Sequence, residues 1–236
     1  MKSFFHIAID GPVAAGKGTA SKLVAQKLGF LYIDTGAMYR MAAMLAAQHG
    51  VDFNDEAKIV SLVKQAKMAM HSPRQDEQDG RLITVLLNGE DVSWKIRSKE
   101  ISEGASKVSI LLEVRKILVE KQKEIAQGKN VVMEGRDITY RVLPDADLKI
   151  FLDAALSARA ERRVKQIQAT NPQITLEKIL KEIAERDERD MGRSADPLQI
   201  VPDAWVLDTT DLTPAQVADT IVHRVHEMRQ LTHEKD

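Results

Sequence analysis

Short apolar segments alternate with longer amphipathic segments along most of this chain. The short segments have the length and residue types of buried β-strands, and the stretches between them carry apolar residues at the three- and four-residue steps of helices. This alternation predicts an α/β fold with a mostly parallel central sheet flanked by helices. The expected strands are residues 4–9, 31–33, 131–133, 148–152 and 205–207.

Acidic residues mark the ends of these predicted strands, as Asp10, Asp34, Glu134, Asp153 and Asp208. Ligands of parallel sheets bind beyond the carboxyl ends of the strands, so we expect the functional site at this edge. The last helix is predicted to open with the capping box Thr213-Pro214-Ala215-Gln216. The final residues THEKD are predicted to be a frayed tail.

Two stretches depart from the alternation. Residues 72–98 are polar except for the apolar run 82–87, which is followed by Asn88-Gly89. Asn-Gly after such a run is a hairpin signal, so a small β insertion is expected. Residues 158–194 are crowded with charged side chains. Most charge runs are solvated helix faces, and most of this stretch is interpreted in that way.

One face of the charged stretch is different. Leu176, Ile179 and Ile183 are followed at the same spacing by Arg186, Asp190 and Arg193. A helix docked by its apolar half would carry these charges inward, where the arginines would need an anion. The pattern therefore favours an anion site at the end of this helix, although chance alignment of charges is an open alternative.

A glycine-rich loop carries the strongest chemical signal. It spans IDGPVAAGKGT, residues 9–19, between a predicted strand and a predicted helix. That order aims backbone N–H groups and a helix N-terminus at an anion, and Lys17 can follow the terminal phosphates. The loop predicts a nucleotide-phosphate site. Its expected contacts are Gly11, Pro12, Val13, Ala14, Ala15, Gly16, Lys17, Gly18 and Thr19.

The loop departs from the strict phosphate-binding pattern, in which Ser or Thr directly follows the lysine. Here Gly18 intervenes and the hydroxyl comes at Thr19, in a form that resembles nucleoside monophosphate kinases. Thr19 would then act on Mg²⁺ through water, or contact phosphate, rather than bind the metal directly. Val13 and Ala14 stand where those kinases usually have Ser or Gly, and a β-branched Val13 restricts the loop conformation.

Composition excludes several other classes of protein. The chain has 236 residues and a formal net charge of −1, which suits one α/β domain without general affinity for nucleic acid polymers or membranes. It contains no cysteine, so a disulfide framework and a thiolate zinc site are impossible. Its histidines lack metal-ligand spacing, and no apolar run reaches membrane length. We expect a cytoplasmic monomer.

Further motifs give the chain a resemblance to bacterial cytidylate kinases over nearly its whole length. They are YIDTGAMYR (residues 32–40), EGRDI (134–138), VLPDADLKIFLDA (142–154) and ERDERDMGR (185–193). The resemblance implies a single P-loop kinase domain, 1–236. Its core would be about 1–60, 99–157 and 195–236, with a small β-containing monophosphate-binding insertion at about 61–98. A helical lid would occupy about 158–194.

The resemblance also implies an activity, the transfer of the γ-phosphoryl group of ATP to CMP and dCMP, with Mg²⁺, in pyrimidine nucleotide metabolism. Lys17, Arg186 and Arg193 would be catalytic. Thr35, Arg40, Arg136 and Arg193 would surround the acceptor phosphate, and Ser106, Arg115 and Asp137 would contact the cytosine edge. Arg186 and Asp190 would reach the sugar and the transferring phosphate, and Arg159, Arg162 and Arg163 would close over ATP. A carboxylate suits the cytosine N4 donor, while Arg and Ser suit its acceptors.

One segment departs from the family pattern. Thr139, Tyr140 and Arg141 stand where these kinases usually have Gly-Thr-Val. Gly tolerates positive φ and Thr139 does not, so we expect the backbone beyond Asp137 to turn differently. Either Tyr140 and Arg141 add contacts of their own, or the segment is a loop variant without catalytic effect.

Three alternative functions remain open at this stage. Another small-substrate kinase, such as an adenylate or shikimate kinase, would lack the β insertion and the EGRDI segment. An ATP-binding regulatory module would keep Lys17 but would not need so many arginines near a second anion. A GTPase is less favoured, because the chain has no Asn/Thr-Lys-x-Asp guanine motif.

Overall fold

The elements of the chain follow the predicted alternation of strands and helices. The computed structural model describes residues 4–169 and 171–233, with side chains as far as residue 230. The strands are β1 (His6–Asp10), β2 (Leu31–Asp34), β3 (Met68–His71), β4 (Thr84–Leu87), β5 (Glu90–Asp91), β6 (Val131–Gly135), β7 (Leu148–Asp153) and β8 (Trp205–Asp208). The α-helices are α1 (Lys17–Leu28), α2 (Thr35–Gln48), α3 (Glu56–Gln65), α4 (Lys99–Val108), α5 (Leu112–Ala126), α6 (Leu156–Ile167), α7 (Leu176–Gly192) and α8 (Pro214–His233).

The central sheet contains five parallel strands in the order β2-β6-β1-β7-β8, which confirms the predicted class. Ile7, Ala8 and Ile9 of the middle strand are fully buried, because helices cover both faces of the sheet. α1 packs against α8, while α2 packs against α3 and α4. The main hydrophobic core lies between these helices and the sheet.

Strand register gathers the predicted acidic residues at one edge. Glu134 is paired with Ile9 on one side and with Asp34 on the other, and Asp153 is paired with Asp208. The segments that leave the sheet at this edge therefore begin side by side. They include the glycine loop after β1, the start of α2 after β2 and the remainder of the EGRDI segment, whose first two residues end β6.

The insertion is a separate antiparallel sheet in the order β3-β4-β5. Asn88 and Gly89 form the turn between β4 and β5 with φ values of 54° and 88°, the left-handed pair of a two-residue hairpin. The hairpin signal is thus confirmed. β3 is not among the strands that the sequence predicts, because its four residues carry too little alternation to be recognised.

The last helix begins with the predicted capping box. Gln216 Oε1 accepts from Thr213 N at 2.9 Å, and Gln216 N donates to Thr213 Oγ1 at 3.3 Å. Residues 234–236 of the predicted frayed tail lie outside the described residues. Within the described ranges, no helix combines the length and the hydropathy needed to cross a bilayer.

Gly11 is required by the close approach of β7. Its φ is +152°, and a Cβ built on it would lie 2.1 Å from the carbonyl oxygen of Leu152. Gly29 provides a contrast, since its φ is +68° but a Cβ would meet nothing within 4 Å. Gly11 is therefore required because a side chain would not fit, whereas Gly29 is favoured only by its backbone conformation.

We predict that Gly11→Ala lowers the free energy of unfolding by about 3 kcal/mol or more, because backbone rather than a flexible side chain obstructs the new methyl group. Gly29→Ala, the matched control, should cost only about 1–2 kcal/mol. Urea unfolding of both variants measures the difference. Equal losses would contradict a steric role for Gly11.

Candidate active site

A cavity of about 620 Å³ opens beyond the carboxyl ends of the central strands, where the sequence predicts the site. Most of the predicted site residues line it. They are Val13, Ala14, Ala15, Gly16, Lys17, Gly18, Thr19, Thr35, Arg40, Ser106, Arg115, Arg136, Asp137, Arg162, Arg163, Arg186, Asp190 and Arg193. Gly11, Pro12 and Arg159 lie outside its lining.

Lys17 is buried at the first position of α1, directly after Gly16 in the left-handed conformation. Its Nζ donates to the carbonyl oxygens of Gly11 and Pro12, each at 2.7 Å. Burial, and after it the charge of Arg136, lowers the pKa of Lys17 to about 7. A phosphate group would reverse this effect, since a nearby anion favours the protonated amine.

Gly18 has a steric reason for separating Lys17 from Thr19. A Cβ at Gly18 would lie 3.3 Å from Glu134 Oε1 and 3.4 Å from the Tyr32 hydroxyl, both tight contacts. The Tyr32 hydroxyl donates to Glu134 Oε1 at 3.1 Å. Burial, and then the charge of Asp34, raises the pKa of Glu134. A residue with a side chain at position 18 would therefore crowd this polar pair.

The tip of the glycine loop packs against α6 and α7. Val13 and Ala14 contact a small apolar cluster formed by Ala160 of α6 and Ile179 and Ile183 of α7. Ala14 has a φ of 60°, which is uncommon for a residue with a Cβ. The apolar residues at 13 and 14, a departure from the family pattern, thus give the loop a hydrophobic contact with these two helices.

Arg159 braces the same loop from behind. Its guanidinium donates to the Val13 carbonyl at 3.1 Å and to Asp187 Oδ2 at 2.5 Å, and its Nε donates to the Ala154 carbonyl at 2.9 Å. Asp187 Oδ1 in turn accepts from Val13 N at 3.1 Å. Arg159 is buried by these contacts and does not line the cavity, although the sequence predicts that it contacts ATP. In the structure it holds the glycine loop in place.

The other two predicted arginines of α6, Arg162 and Arg163, do line the cavity. Arg162 donates to the carbonyl oxygens of Thr209, Thr210 and Leu212, which fixes the segment between β8 and α8. Arg163 is exposed, and its closest acceptor is Gln166 Oε1 at 3.4 Å. Of these two guanidinium groups, that of Arg162 is held by three carbonyl oxygens, whereas that of Arg163 has one long hydrogen bond to a described residue.

The inward face of α7 differs in detail from the predicted one. Ile179 and Ile183 are buried, but Leu176 in the first turn is 43% exposed. The buried apolar face therefore begins at Ile179 and not at Leu176, as the sequence predicts. Asp187 continues the buried face instead. Arg186 and Asp190 lie beside this face and line the cavity, as predicted. Arg193 follows the end of the helix, with an extended backbone.

Arg136 and Arg186 both line the cavity, and the charge of Arg136 acts on Arg186 and on Lys17. Arg136 Nε donates to Asp190 Oδ2 at 2.8 Å. Burial, and then the charge of Arg136, lowers the pKa of Arg186 to about 10. No described residue accepts a hydrogen bond from Arg186. Its guanidinium is therefore available to an anion in the cavity.

The start of α2 forms a second wall of the cavity. Asp34 caps the helix by accepting from Ala37 N at 3.1 Å, and its carboxylate lies 3.5 Å from Arg40 Nη1. The Thr35 hydroxyl donates to the Glu134 carbonyl at 2.8 Å. Thr35 and Arg40 are thus held at the junction of β2 and β6, next to the glycine loop.

The turn after β6 is organised by a buried carboxylate. Asp10 accepts from Ile138 N at 2.9 Å, from Thr139 N at 2.8 Å and from the Thr139 hydroxyl at 2.7 Å. The turn then continues as one wide helical turn, Ile138–Val142, without positive φ. Thr139 therefore replaces the usual Gly with a side chain that has its own bond to the core, which explains how the chain turns without a glycine.

Asp137 and Arg115 form a buried ion pair in the lining of the cavity. Arg115 Nη2 bonds Asp137 Oδ2, and the Arg115 guanidinium lies 5.5 Å from the Tyr39 ring centroid. Burial raises the pKa of Asp137 to about 6, against the opposing charges of Arg115 and Arg193. Ser106, on α4, also lines the cavity, and its Oγ accepts from Arg189 at 2.7 Å.

Arg193 lies next to this ion pair. Its Nε donates to the Asp196 carbonyl at 2.6 Å, and its Nη2 lies 3.9 Å from Asp137 Oδ1. Nη2 is buried and has no hydrogen-bond partner. A buried donor without an acceptor is costly, so this atom indicates a ligand acceptor at that point.

Charge in the cavity is strongly unbalanced. Among the described residues, ten Lys and Arg side chains but only four Asp and Glu side chains line it. The excess favours a ligand with several negative charges. Two members of this set, Arg97 from the insertion and Lys165 from α6, are not predicted from the sequence. Glu134 stands at a predicted strand end, where the site is expected, whereas Arg97 carries no such signal.

Comparisons with known proteins agree with this geometry. The family model described as cytidylate kinase matches residues 7–227. The chain is 44% identical over 219 residues to a cytidylate kinase of Caldanaerobacter subterraneus subsp. tengcongensis, covering 93% of each protein. It is also 44% identical over 213 residues to one of Vibrio cholerae serotype O1, covering 90% of this chain and 92% of the other.

A solved structure shares the fold at low identity. It is an uncharacterized protein from Eubacterium ventriosum, with a TM-score of 0.52 and 9% identity, covering 94% of this chain and 98% of the other. At this identity the likeness concerns the fold alone.

We predict that Lys17 takes up a proton when ATP, the ligand that the glycine loop implies, binds at pH 8. At that pH a lysine with a pKa of about 7 is mostly neutral, and the phosphates restore its charge. Calorimetry in two buffers of different ionisation enthalpy measures the uptake. Lys17→Met should abolish the uptake and lower phosphoryl transfer at least about 10- to 100-fold, equivalent to roughly 1.5–3 kcal/mol. Turnover near that of the unmodified enzyme would contradict the assignment of Lys17.

Proposed function

Since the chain belongs to the cytidylate kinase family, we propose that its cavity holds ATP along the glycine loop and the acceptor nucleotide between α2, α4 and the turn after β6. The enzyme is an ATP-dependent kinase that transfers the γ-phosphoryl group to CMP. A phosphate oxygen of the acceptor forms the new bond to phosphorus, the bond to ADP breaks, and the products are CDP and ADP. dCMP is a second proposed acceptor.

One observation carries the assignment of the acceptor end. The Asp137–Arg115 pair and the unpartnered Nη2 of Arg193 lie together, since that Nη2 is 3.9 Å from Asp137 Oδ1, and all three residues line the cavity. Cytosine presents an N4 donor beside N3 and O2 acceptors. Asp137 can accept from N4, and Arg115 and Ser106 can donate to the acceptors, so this group fits a cytosine edge.

Phosphoryl transfer fits the centre of the cavity. The transferring group carries its charge on several oxygens, and catalysis depends on positioning and on neutralising that charge. Lys17 donates to the carbonyl oxygens of Gly11 and Pro12, the charge of Arg136 acts on Lys17, and Arg186 lines the same cavity. We assign Lys17, Arg186 and Arg193 to this step. Thr35, Arg40, Arg136 and Arg193 are assigned to the acceptor phosphate, and Arg162 and Arg163 to ATP.

The proposed Mg²⁺ is carried with ATP. Within the described residues, no three His, Asp or Glu side chains lie close enough together to hold a metal ion. Thr19 lines the cavity at the start of α1, so its hydroxyl would meet the metal through water or contact a phosphate oxygen. The metal would supply further neutralisation of the phosphate charge. A monomeric state and a cytoplasmic location stay predictions.

A coupled assay of ADP release across CMP, dCMP, UMP, AMP and shikimate tests the function. We expect CMP and dCMP to give the highest kcat/KM. ATP hydrolysis without preference among these acceptors would favour an ATP-binding module, and a preference for AMP or shikimate would favour another kinase.

We predict that Asp137→Ala raises the KM for CMP at least about tenfold and changes the KM for ATP by less than twofold, because a buried partner of the base is lost. Asp219→Ala, at an exposed pair with Lys27, is the matched control and should change neither constant. If Asp137→Ala keeps the KM for CMP and the rejection of UMP, then Asp137 does not contact the base.

We predict that Arg193→Met lowers kcat about 10³-fold or more while the melting temperature changes little. Arginines that neutralise a transferring phosphoryl group contribute roughly 10³–10⁵ in rate. A solvated arginine would instead contribute within about 0.5 kcal/mol to stability and nothing to rate. Steady-state kinetics and a thermal melt of the same preparation separate the two, and unchanged kinetics would remove Arg193 from the site.

A further inference from the structure

Asp196 connects the end of the lid to the acceptor end of the cavity. Its carboxylate accepts from Arg115 Nε at 3.0 Å, and its carbonyl accepts from Arg193 Nε at 2.6 Å. One residue therefore bonds both the arginine assigned to cytosine and the arginine assigned to phosphate. Asp196 does not itself line the cavity, so any effect on a ligand would pass through these two side chains.

The conformation of Asp196 is held by its surroundings. Its φ is +47°, a left-handed value that Asp tolerates better than most residues but that persists only where contacts fix it. Arg141 Nε lies 3.4 Å from the Asp196 carboxylate, and the Tyr140 hydroxyl donates to the Pro197 carbonyl at 2.5 Å. Leu198 N donates to the Asp190 carbonyl at 2.8 Å, which ties the same segment to α7.

Tyr140 and Arg141 are two of the three residues that stand in place of the usual Gly-Thr-Val. Both reach the segment that follows Arg193. The departure therefore supplies contacts of its own, from Arg141 to Asp196 and from Tyr140 to the neighbouring Pro197.

Arg115 needs its third partner in order to keep one orientation. Its guanidinium has five N–H donors, of which Nε bonds Asp196, Nη1 bonds the Ser109 carbonyl and Nη2 bonds Asp137. These bonds come from three different elements and leave two N–H groups for a ligand. Without Asp196, Nε would be buried without an acceptor, and the guanidinium would be free to turn towards Asp137.

We propose that Asp196 is a positioning residue for the acceptor nucleotide, which fixes Arg115 and Arg193 relative to each other, and that Tyr140 and Arg141 hold it in place. The proposal rests on the proposed function, since it assumes that the acceptor binds at these arginines. It assigns a role in substrate affinity to three residues outside the cavity lining.

Asp196→Asn is the sharpest test, because Asn has the same size and also tolerates positive φ. Loss of the carboxylate charge should raise the KM for CMP about tenfold, while the KM for ATP changes less than twofold. Arg141→Met should act in the same direction. The matched control is Asp203→Asn, in the same segment before β8, where the carboxylate pairs with Lys149 at an exposed position. That control should leave both constants unchanged.

The pH dependence of kcat/KM for CMP provides a second test. A residue that only stabilised the fold would not shift it. Asp137 is faced by Arg115 and Arg193, which lower its pKa, and by Asp10 and Asp196, which raise it. Its carboxylate form is expected to bind CMP, so kcat/KM should fall as the pH drops through about 6. Removing the Asp196 charge lowers the pKa of Asp137, so in Asp196→Asn this fall should occur at lower pH.

An unchanged KM for CMP and an unchanged pH profile in a folded Asp196→Asn enzyme would overturn the proposal. If that variant does not fold, Tyr140→Phe removes only the hydroxyl bond to Pro197, and it should still raise the KM for CMP selectively by about two- to fivefold. An equal KM for CMP in Tyr140→Phe would then overturn it. Failure of the proposed function is distinguishable, because it would appear in the unmodified enzyme as no preference for CMP.

Discussion

The carboxylate of Asp10 links the two neighbouring strands from which the site is built. It ends β1, where the glycine loop begins, and it accepts three hydrogen bonds from the turn that follows β6. Burial raises the pKa of this carboxyl, and the hydrogen bonds oppose that effect. The loop proposed to hold ATP and the turn that carries Asp137 are therefore fixed relative to each other by one fully buried side chain.

Around this link, acidic residues position arginines and leave part of each guanidinium free. Asp187 holds Arg159, Asp190 holds Arg136, and Asp196 holds Arg115. Buried arginines are tolerated because each has such a partner, yet the cavity still contains many more cations than anions. The excess positive charge is a cost to the free enzyme that anionic substrates would offset.

Helix α7 is attached to the core at several places. In its first half, Ile179 and Ile183 pack with Val13 and Ala14 of the glycine loop. Asp187, further along the helix, accepts a hydrogen bond from Val13 N. Beyond its end, Asp196 bonds Arg115 of α5. A displacement of α7 would therefore affect both the glycine loop and Arg115.

The sequence by itself determined the features that depend on short stretches of chain. Strand periodicity, the spacing of the glycine loop, the Asn88-Gly89 turn and the capping box at Thr213 are local, because each is set by the conformational preferences of adjacent residues. The family motifs named candidate site residues, and in the structure most of them line one cavity. Only the tertiary structure decided that Arg159 holds the glycine loop and that Leu176 is exposed. It also decided that Gly18 leaves room for Glu134 and Tyr32, and that Asp196 bonds two arginines. Those outcomes depend on contacts between residues far apart in the chain, which no local pattern encodes.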